Sequence, residues 1–245
     1  MMASSIPRAR RMMLALVGLA LGVFILLEAM ADEPPLPPPR PPEPPQAPAK
    51  PQSEAPSEGA PSTCLAKLIA AGAGAEAVPS PTTSVEGCGI EAPVRLSSIT
   101  ALAGDVVNLP DRPLVACEFA AVLADYVRLV VAPLGEAMLH AKVAGIETGP
   151  GYTCRTQDHI AGAKISAHGH GLAVDFVAIV FADKRRILVE RQTGADEASY
   201  FRAVRTVACG WFTTVLGPGA DAFHANNMHL DIEQRGSSGN YRICE

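Results

Sequence analysis

Residues 166–181, SAHGHGLAVDFVAIVF, pass from a glycine-rich stretch with two histidines into a run that is apolar except for Asp175. The run GLAVDFVAIVF predicts a buried strand, because it is short, β-branched and bounded by turn residues. Gly169 and Gly171 give the preceding backbone room to turn sharply and aim an imidazole back toward that strand. Around this centre the chain reads as more strands: RRILVE (185–190) after a turn at Asp183 and Lys184, KVAGIETG (142–149) ahead of Gly149-Pro150-Gly151, and NMHLDIE (227–233) near the end. In that last strand Met228, Leu230 and Ile232 share one face, while Asn227, His229, Asp231 and Glu233 share the other. The apolar face is expected to be buried and the polar face exposed, which points His229 toward a site. Apolar residues at helical spacing predict a core helix over Leu114–Val131, through Val115, Phe119, Val122, Leu123, Tyr126, Leu129 and Val130. Pro133 opens a second helical segment to about His140. Shorter helices are expected from Ser62 or Thr63 through Ala71 and over Glu197–Cys209, and GCGIEAPVRLSSI (87–99) reads as loop with one short strand. Helices and strands do not alternate regularly. The predicted class is therefore α+β, a mainly antiparallel sheet with flanking helices.

Beyond this domain the composition changes. Residues 1–31 carry Arg8, Arg10 and Arg11, an apolar stretch from Met12 to Leu27, and Ala29-Met30-Ala31, the order of a secretory signal with cleavage after Ala31. The apolar stretch is shorter than the roughly 20 residues of a comfortable membrane span, and an uncleaved N-terminal anchor is the alternative. Residues 32–62 are rich in proline and poor in anything to bury, a disordered, extended spacer. The folded domain is expected over 63–245 and outside the cytoplasm, periplasmic or extracellular, with a possible tether to the inner membrane. Its six cysteines, Cys64, Cys88, Cys117, Cys154, Cys209 and Cys244, contain no Cys-x-x-Cys pair. In an exported chain they read as three disulfides rather than a thiolate metal site. Nearest-neighbour pairing is the expectation: 64–88, 117–154 and 209–244. A formal net charge of −5, with no basic cluster beyond the N-terminus, gives no footprint for nucleic acid.

His168, Asp175 and His229 form a candidate set of three metal ligands. A catalytic zinc commonly takes three ligands from His, Asp and Glu and keeps a position open. One carboxylate offsets half of the metal charge and leaves a Lewis acid. Spacing alone leaves the alternative standing, with His168 and His170 as exposed loop residues and Asp175 paired to an arginine. His140 and His159 read as exposed, Trp211 as core packing beside a disulfide, and Glu233 with Arg235 as a solvated pair.

Residues 166–175 also match Ser-x-His-x-x-Gly-x-Ala-x-Asp, and in this they resemble the zinc D-Ala-D-Ala peptidases related to the Hedgehog fold. GCGIEAPVRL, GYTCR, FHANNMHLDIEQRG and the closing YRICE extend the resemblance to a narrower group, the C-terminal domain of bacterial extensin-like proteins. It covers essentially the whole domain. The resemblance implies a Hedgehog/DD-peptidase-like fold and zinc held by His168, Asp175 and His229. It also implies Arg155 as the cation that faces a substrate carbonyl, with a structural salt bridge as the rival role. The implied partner is peptidoglycan, or another cell-wall peptide.

The chain departs from the peptidases where their general base stands. They carry a glutamate three residues before the last histidine, and some relatives a histidine two residues before it. Those positions are Asn226 and Asn227 here, and neither amide takes up a proton near neutral pH. Substitutes are His170, His224 or Asp231, the last of which shares a strand face with His229 and suits an orienting partner of an imidazole. The expectations are thus a zinc metallopeptidase of cell-wall peptides, a catalytically silent module that binds them, or a metal-free structural protein held by its disulfides.

Overall fold

The run over 173–181, apolar except for Asp175, builds the longest strand of a ten-stranded sheet. The structure, a computed structural model, describes residues 63–239 and 241–245, so the export segment and linker expected over 1–62 lie outside the described residues. In chain order the elements begin with helix α1 (Thr63–Ala70) and strands β1 (Ala73–Ala77), β2 (Pro93–Thr100), β3 (Val106–Asn108) and β4 (Leu114–Ala116). Helix α2 (Cys117–Tyr126), a π-helical turn (Val127–Val131), helix α3 (Ala132–Leu139) and β5 (Val143–Thr148) follow. The remainder is β6 (Ala173–Phe181), β7 (Arg186–Leu188), helix α4 (Ala195–Ala208), β8 (Thr214–Leu216), β9 (Met228–Asp231) and β10 (Ile243–Cys244). Short 3₁₀ turns at Gln157–His159 and Ala167–His170 stand between β5 and β6.

The strand order is β1-β2-β3-β5-β6-β9-β8-β10, with β4 paired to β2 and β7 to β6. The class is α+β, but the sheet is mixed, which corrects the expectation of a mainly antiparallel one. β3 runs parallel to β5, and β10 runs parallel to β8. Parallel neighbours need a long crossover. The helical passage α2–α3 carries the chain from β3 to β5, and after β9 the chain returns to place β10 at the outer edge of β8. Leu114–Ala116, read as the first turn of a helix, is instead β4, because Val115 pairs with Val94 on β2. The helix starts only at Cys117.

The helices cover one face of the sheet. Phe119, Leu123 and Tyr126 from α2 are fully buried, together with Phe176, Ile179 and Phe181 from β6. Tyr126 stands edge-on to Phe212 at 5.2 Å, and Trp211 packs on the same tyrosine at 6.2 Å. Two buried hydroxyls tie the helices together: Tyr126 donates to the Val204 carbonyl at 2.8 Å, and Tyr200 donates to the Val131 carbonyl at 3.0 Å. The second of these satisfies a carbonyl at the end of the π-helical turn, where the regular ladder is interrupted.

All six cysteines are bonded, as Cys64–Cys117, Cys88–Cys154 and Cys209–Cys244. Two of the expected pairs, 64–88 and 117–154, are therefore corrected. Proximity in the fold decides the partners, not order along the chain: α1 packs on α2, which sets Cys64 beside Cys117. The Cys88 segment meets the 166–170 turn, where the Gly89 amide donates to the Gly169 carbonyl at 2.9 Å. Thr153, next to Cys154, donates its amide N–H to the His168 carbonyl of the same turn at 3.2 Å.

Candidate metal centre

Antiparallel pairing of β6 with β9 sets Asp175 directly opposite His229 and Ala173 opposite Asp231. Directly opposed residues point to the same face, so the register itself brings a carboxylate and an imidazole together. The 3₁₀ turn then delivers the third group. Gly171 ends that turn at φ +68°, a left-handed conformation, with the Ala116 amide nitrogen 2.8 Å from where a Cβ would stand. Only glycine fits there without strain. A side chain at position 169 would collide with Ile165. The sharp turn carries the His168 ring inward over β6.

His168 Nε2 lies 3.1 Å from His229 Nδ1, His229 Nδ1 lies 3.0 Å from Asp175 Oδ1, and His168 Nε2 lies 3.4 Å from Asp175 Oδ2. Metal–ligand bonds of about 2.0–2.1 Å set tetrahedrally place neighbouring ligand atoms roughly 3.3 Å apart. The separation of the two nitrogens is close to that of neighbouring ligands in such a tetrahedron, and with one Asp175 oxygen the three ligand atoms lie within 4.8 Å of one another. Each histidine also has its far nitrogen engaged. His168 Nδ1 donates to the Gly151 carbonyl at 2.7 Å, and His229 Nε2 donates to Asp231 Oδ2 at 3.0 Å. In the neutral rings that bind a metal, these bonds set the tautomers so that the opposite nitrogen's lone pair faces Asp175. Asp231 is held in turn by the Arg235 guanidinium and the Thr213 hydroxyl, both at 3.0 Å. The donor set of two imidazoles and one carboxylate, with an ordered outer shell, fits a divalent zinc ion.

Without a cation the same groups form an ion-paired cluster, in which protons supply the positive charge. Three electron-rich atoms this close repel one another unless positive charge sits among them. Burial alone would lower the His229 pKa, but hydrogen bonds to Asp175 and Asp231 outweigh burial and push it up to about 9. Burial alone would raise the Asp175 carboxyl, but His168 and His229 hold it far below the usual carboxylate range. Asp231 is lowered too, with burial overcome by His229 and Arg235.

The face expected to be exposed is buried instead, since His229 and Asp231 are covered by the His168 turn and by Arg235. His168, read in one alternative as an exposed loop residue, is 3% exposed. Asp175 pairs with the two imidazoles rather than with an arginine. Two clefts open beside this group. One of about 170 Å³ is lined by Arg155, Ser166, His168, His224 and His229, the other of about 120 Å³ by Arg155, Asp175, Phe223, His224 and Asn227. Among the described residues the Arg155 guanidinium has no carboxylate partner, and Arg155 lines both clefts. His224 borders both as well, whereas His170 lines neither. His140 and His159 are exposed.

Sequence reasoning missed two participants. Arg235, read as half of a solvated surface pair, is mostly buried and braces Asp231, and it donates to the Thr214 hydroxyl at 2.6 Å. Asp221 grips His224, whose Nδ1 lies 2.8 Å from both of its carboxylate oxygens. The spacing Asp-x-x-His in 221–224 was the available signal. Asn227 donates through Nδ2 to the Phe223 carbonyl and to Asn226, while its own Oδ1 is buried with no partner among the described residues.

The family model described as extensin-like protein C-terminus matches residues 62–245. No curated protein and no solved structure matches the chain.

Proposed function

We propose, from the premise that this chain belongs to the extensin-like protein C-terminus family, that His168, Asp175 and His229 hold a zinc ion in an exported domain that hydrolyses cell-wall peptides. The finer kinship, with the zinc DD-peptidases and the Hedgehog-like fold, is part of this reading. One observation carries it: His168, Asp175 and His229, from separate parts of the chain, each offer a ligand atom within 4.8 Å of the others. The far nitrogens of both imidazoles are already spoken for. A surface cluster has no reason to fix tautomers in this way.

A zinc ion so held supplies Lewis acidity, which polarises an amide carbonyl and acidifies water. The chain's own groups do the rest. Arg155, free of a carboxylate partner among the described residues, offers its guanidinium to a carbonyl or carboxylate oxygen of the peptide. The two clefts beside the group would accommodate the segments flanking the bond to be cut. Asp231 and Arg235 hold the His229 ring in place, so little reorganisation accompanies binding. Three disulfides suit the oxidising exterior that the N-terminal sequence implies. Peptidoglycan stem or cross-link peptide is the matching substrate. Membrane tethering would depend on residues 1–31, because among the described residues no helix is long and apolar enough to cross a membrane.

Metal analysis of the wild type beside His229→Ala, followed by digestion of purified peptidoglycan, tests this. Stoichiometric zinc in the wild type, its loss in the variant, and release of peptide fragments are expected. Full zinc in His229→Ala would show the ligand set to be wrong. Zinc without any cleavage would leave a metal-containing binding module. Asn226 and Asn227 favour that second reading, since amides stand where the resembling peptidases carry their base. Wall fragments bound saturably and recovered uncut would establish it.

A further inference from the structure

If hydrolysis occurs at this site, a group must carry the proton of the attacking water, and the residues bordering the clefts narrow the choice. Asn226 and Asn227 are amides. Asp231 is consumed by His229, Arg235 and Thr213. His168, Asp175 and His229 are engaged with one another. His159 borders only the smaller cleft, and among the described residues no carboxylate fixes its ring. His224 differs in each respect. It borders both clefts beside Arg155, and its ring meets that of His229 nearly edge-on at 5.6 Å between centroids. Its side chain is 13% exposed, enough for contact with a water in the cleft.

Its orientation is built, not incidental. Asp221 accepts the backbone N–H of Phe223 at 2.8 Å and of His224 at 3.1 Å, which folds 221–224 into a tight turn around the carboxylate. Both oxygens of the same carboxylate then stand 2.8 Å from His224 Nδ1. Nδ1 is therefore the protonated nitrogen, and Nε2 keeps a lone pair. A carboxylate that fixes the tautomer of an imidazole acting on a neighbouring oxygen is a recurrent device in hydrolysis.

The geometry points to His224, oriented by Asp221, as the catalytic residue that contacts the reacting water and carries its proton. This rests on the peptidase reading above and supplies the base that the sequence lacks at positions 226 and 227. The water oxygen bonds to the amide carbonyl carbon while one of its protons passes to His224 Nε2. The C–N bond then breaks and the same proton goes to the departing nitrogen. Peptide and water become a carboxylic acid and an amine, and His224 returns to its starting state. Asp221 touches neither water nor peptide and is a positioning residue.

The test uses the full chain, zinc-loaded, with wild type, His224→Gln, His224→Ala and Asp221→Asn compared for zinc content and for cleavage of purified peptidoglycan peptides. Zinc content equal to wild type with cleavage lowered about 10²–10⁴-fold is expected for His224→Gln. Free imidazole should restore part of the activity of His224→Ala, which a purely structural loss would not allow. Long-range ¹H–¹⁵N spectra of the wild type should show His224 protonated at Nδ1, and Asp221→Asn should weaken that preference. Unchanged cleavage by His224→Gln, or protonation at Nε2 in the wild type, would overturn this role while leaving the zinc reading intact. Loss of zinc in His224→Gln would instead make His224 a ligand and also overturn it. A wild type that holds zinc yet cuts nothing removes both this role and the hydrolytic reading, and one that binds no zinc removes the reading at its root.

Discussion

At Asp231 a single carboxylate meets two demands: it orients the His229 ring and anchors Arg235. Replacing it with asparagine keeps the shape and removes the charge. Asp231→Asn should weaken zinc binding about 10–100-fold with little change in fold, measured by competition with a chelator. Gly171 carries a different constraint. With φ at +68° and a backbone nitrogen 2.8 Å from the missing Cβ, Gly171→Ala should cost about 1–3 kcal/mol in a denaturant titration. These two residues show what the sequence disclosed at this scale. His168, Gly171 and Asp175 are legible together because a turn and the strand it enters are local events. Arg235 and Asp221 were not, because their meaning depends on which strand or ring comes to lie beside them. A charge pair at 233 and 235 looks the same on paper whether it faces water or closes over a buried aspartate.

Strands and helices carry the next set of consequences. The π-helical turn at 127–131 relies on the Tyr200 hydroxyl, which reaches the Val131 carbonyl from α4. Tyr200→Phe keeps the packed ring and removes the donor, so it should destabilise the protein by about 1–3 kcal/mol, read from the urea midpoint at unchanged slope. Helical periodicity in 117–131 was legible as one apolar face. The start was misplaced because Leu114–Ala116 is apolar for a different reason, a short pairing with β2. The polar face of β9 was legible as a set of residues but not as a buried one, since its cover comes from a turn sixty residues earlier. The disulfides repeat the lesson: Cys64 and Cys117 are 53 residues apart in sequence, and only the packing of α1 against α2 makes them neighbours. Non-reducing peptide maps should return fragments joined as 64–117, 88–154 and 209–244, with no 64–88 species.

For the whole molecule, the two interlocked phenols set the alkaline limit. Burial holds Tyr126 well above the ordinary value of 10.0, with Tyr200 adding to it, and burial raises Tyr200 as well. Their stabilising contribution is complete below the unfolded value near 10 and drains as pH rises beyond it, because the unfolded chain then gives up protons that the folded one retains. Stability should be insensitive to these groups at neutral pH and fall above pH 10 by up to about 1.4 kcal/mol per pH unit for each phenol. Tyr126→Phe should flatten that decline in brief alkaline denaturation experiments. The Cys88–Cys154 bond acts on the molecule's history instead. It joins the two segments that grip the His168 turn, one through Gly89 and the other through Thr153 and Arg155. A chain with its thiols still reduced lacks that clasp, so on the zinc reading proposed above cation uptake would follow oxidation. If the domain is exported as proposed, the choice of metal would fall to whatever compartment closes the clasp, not to the divalent ions of the cytosol.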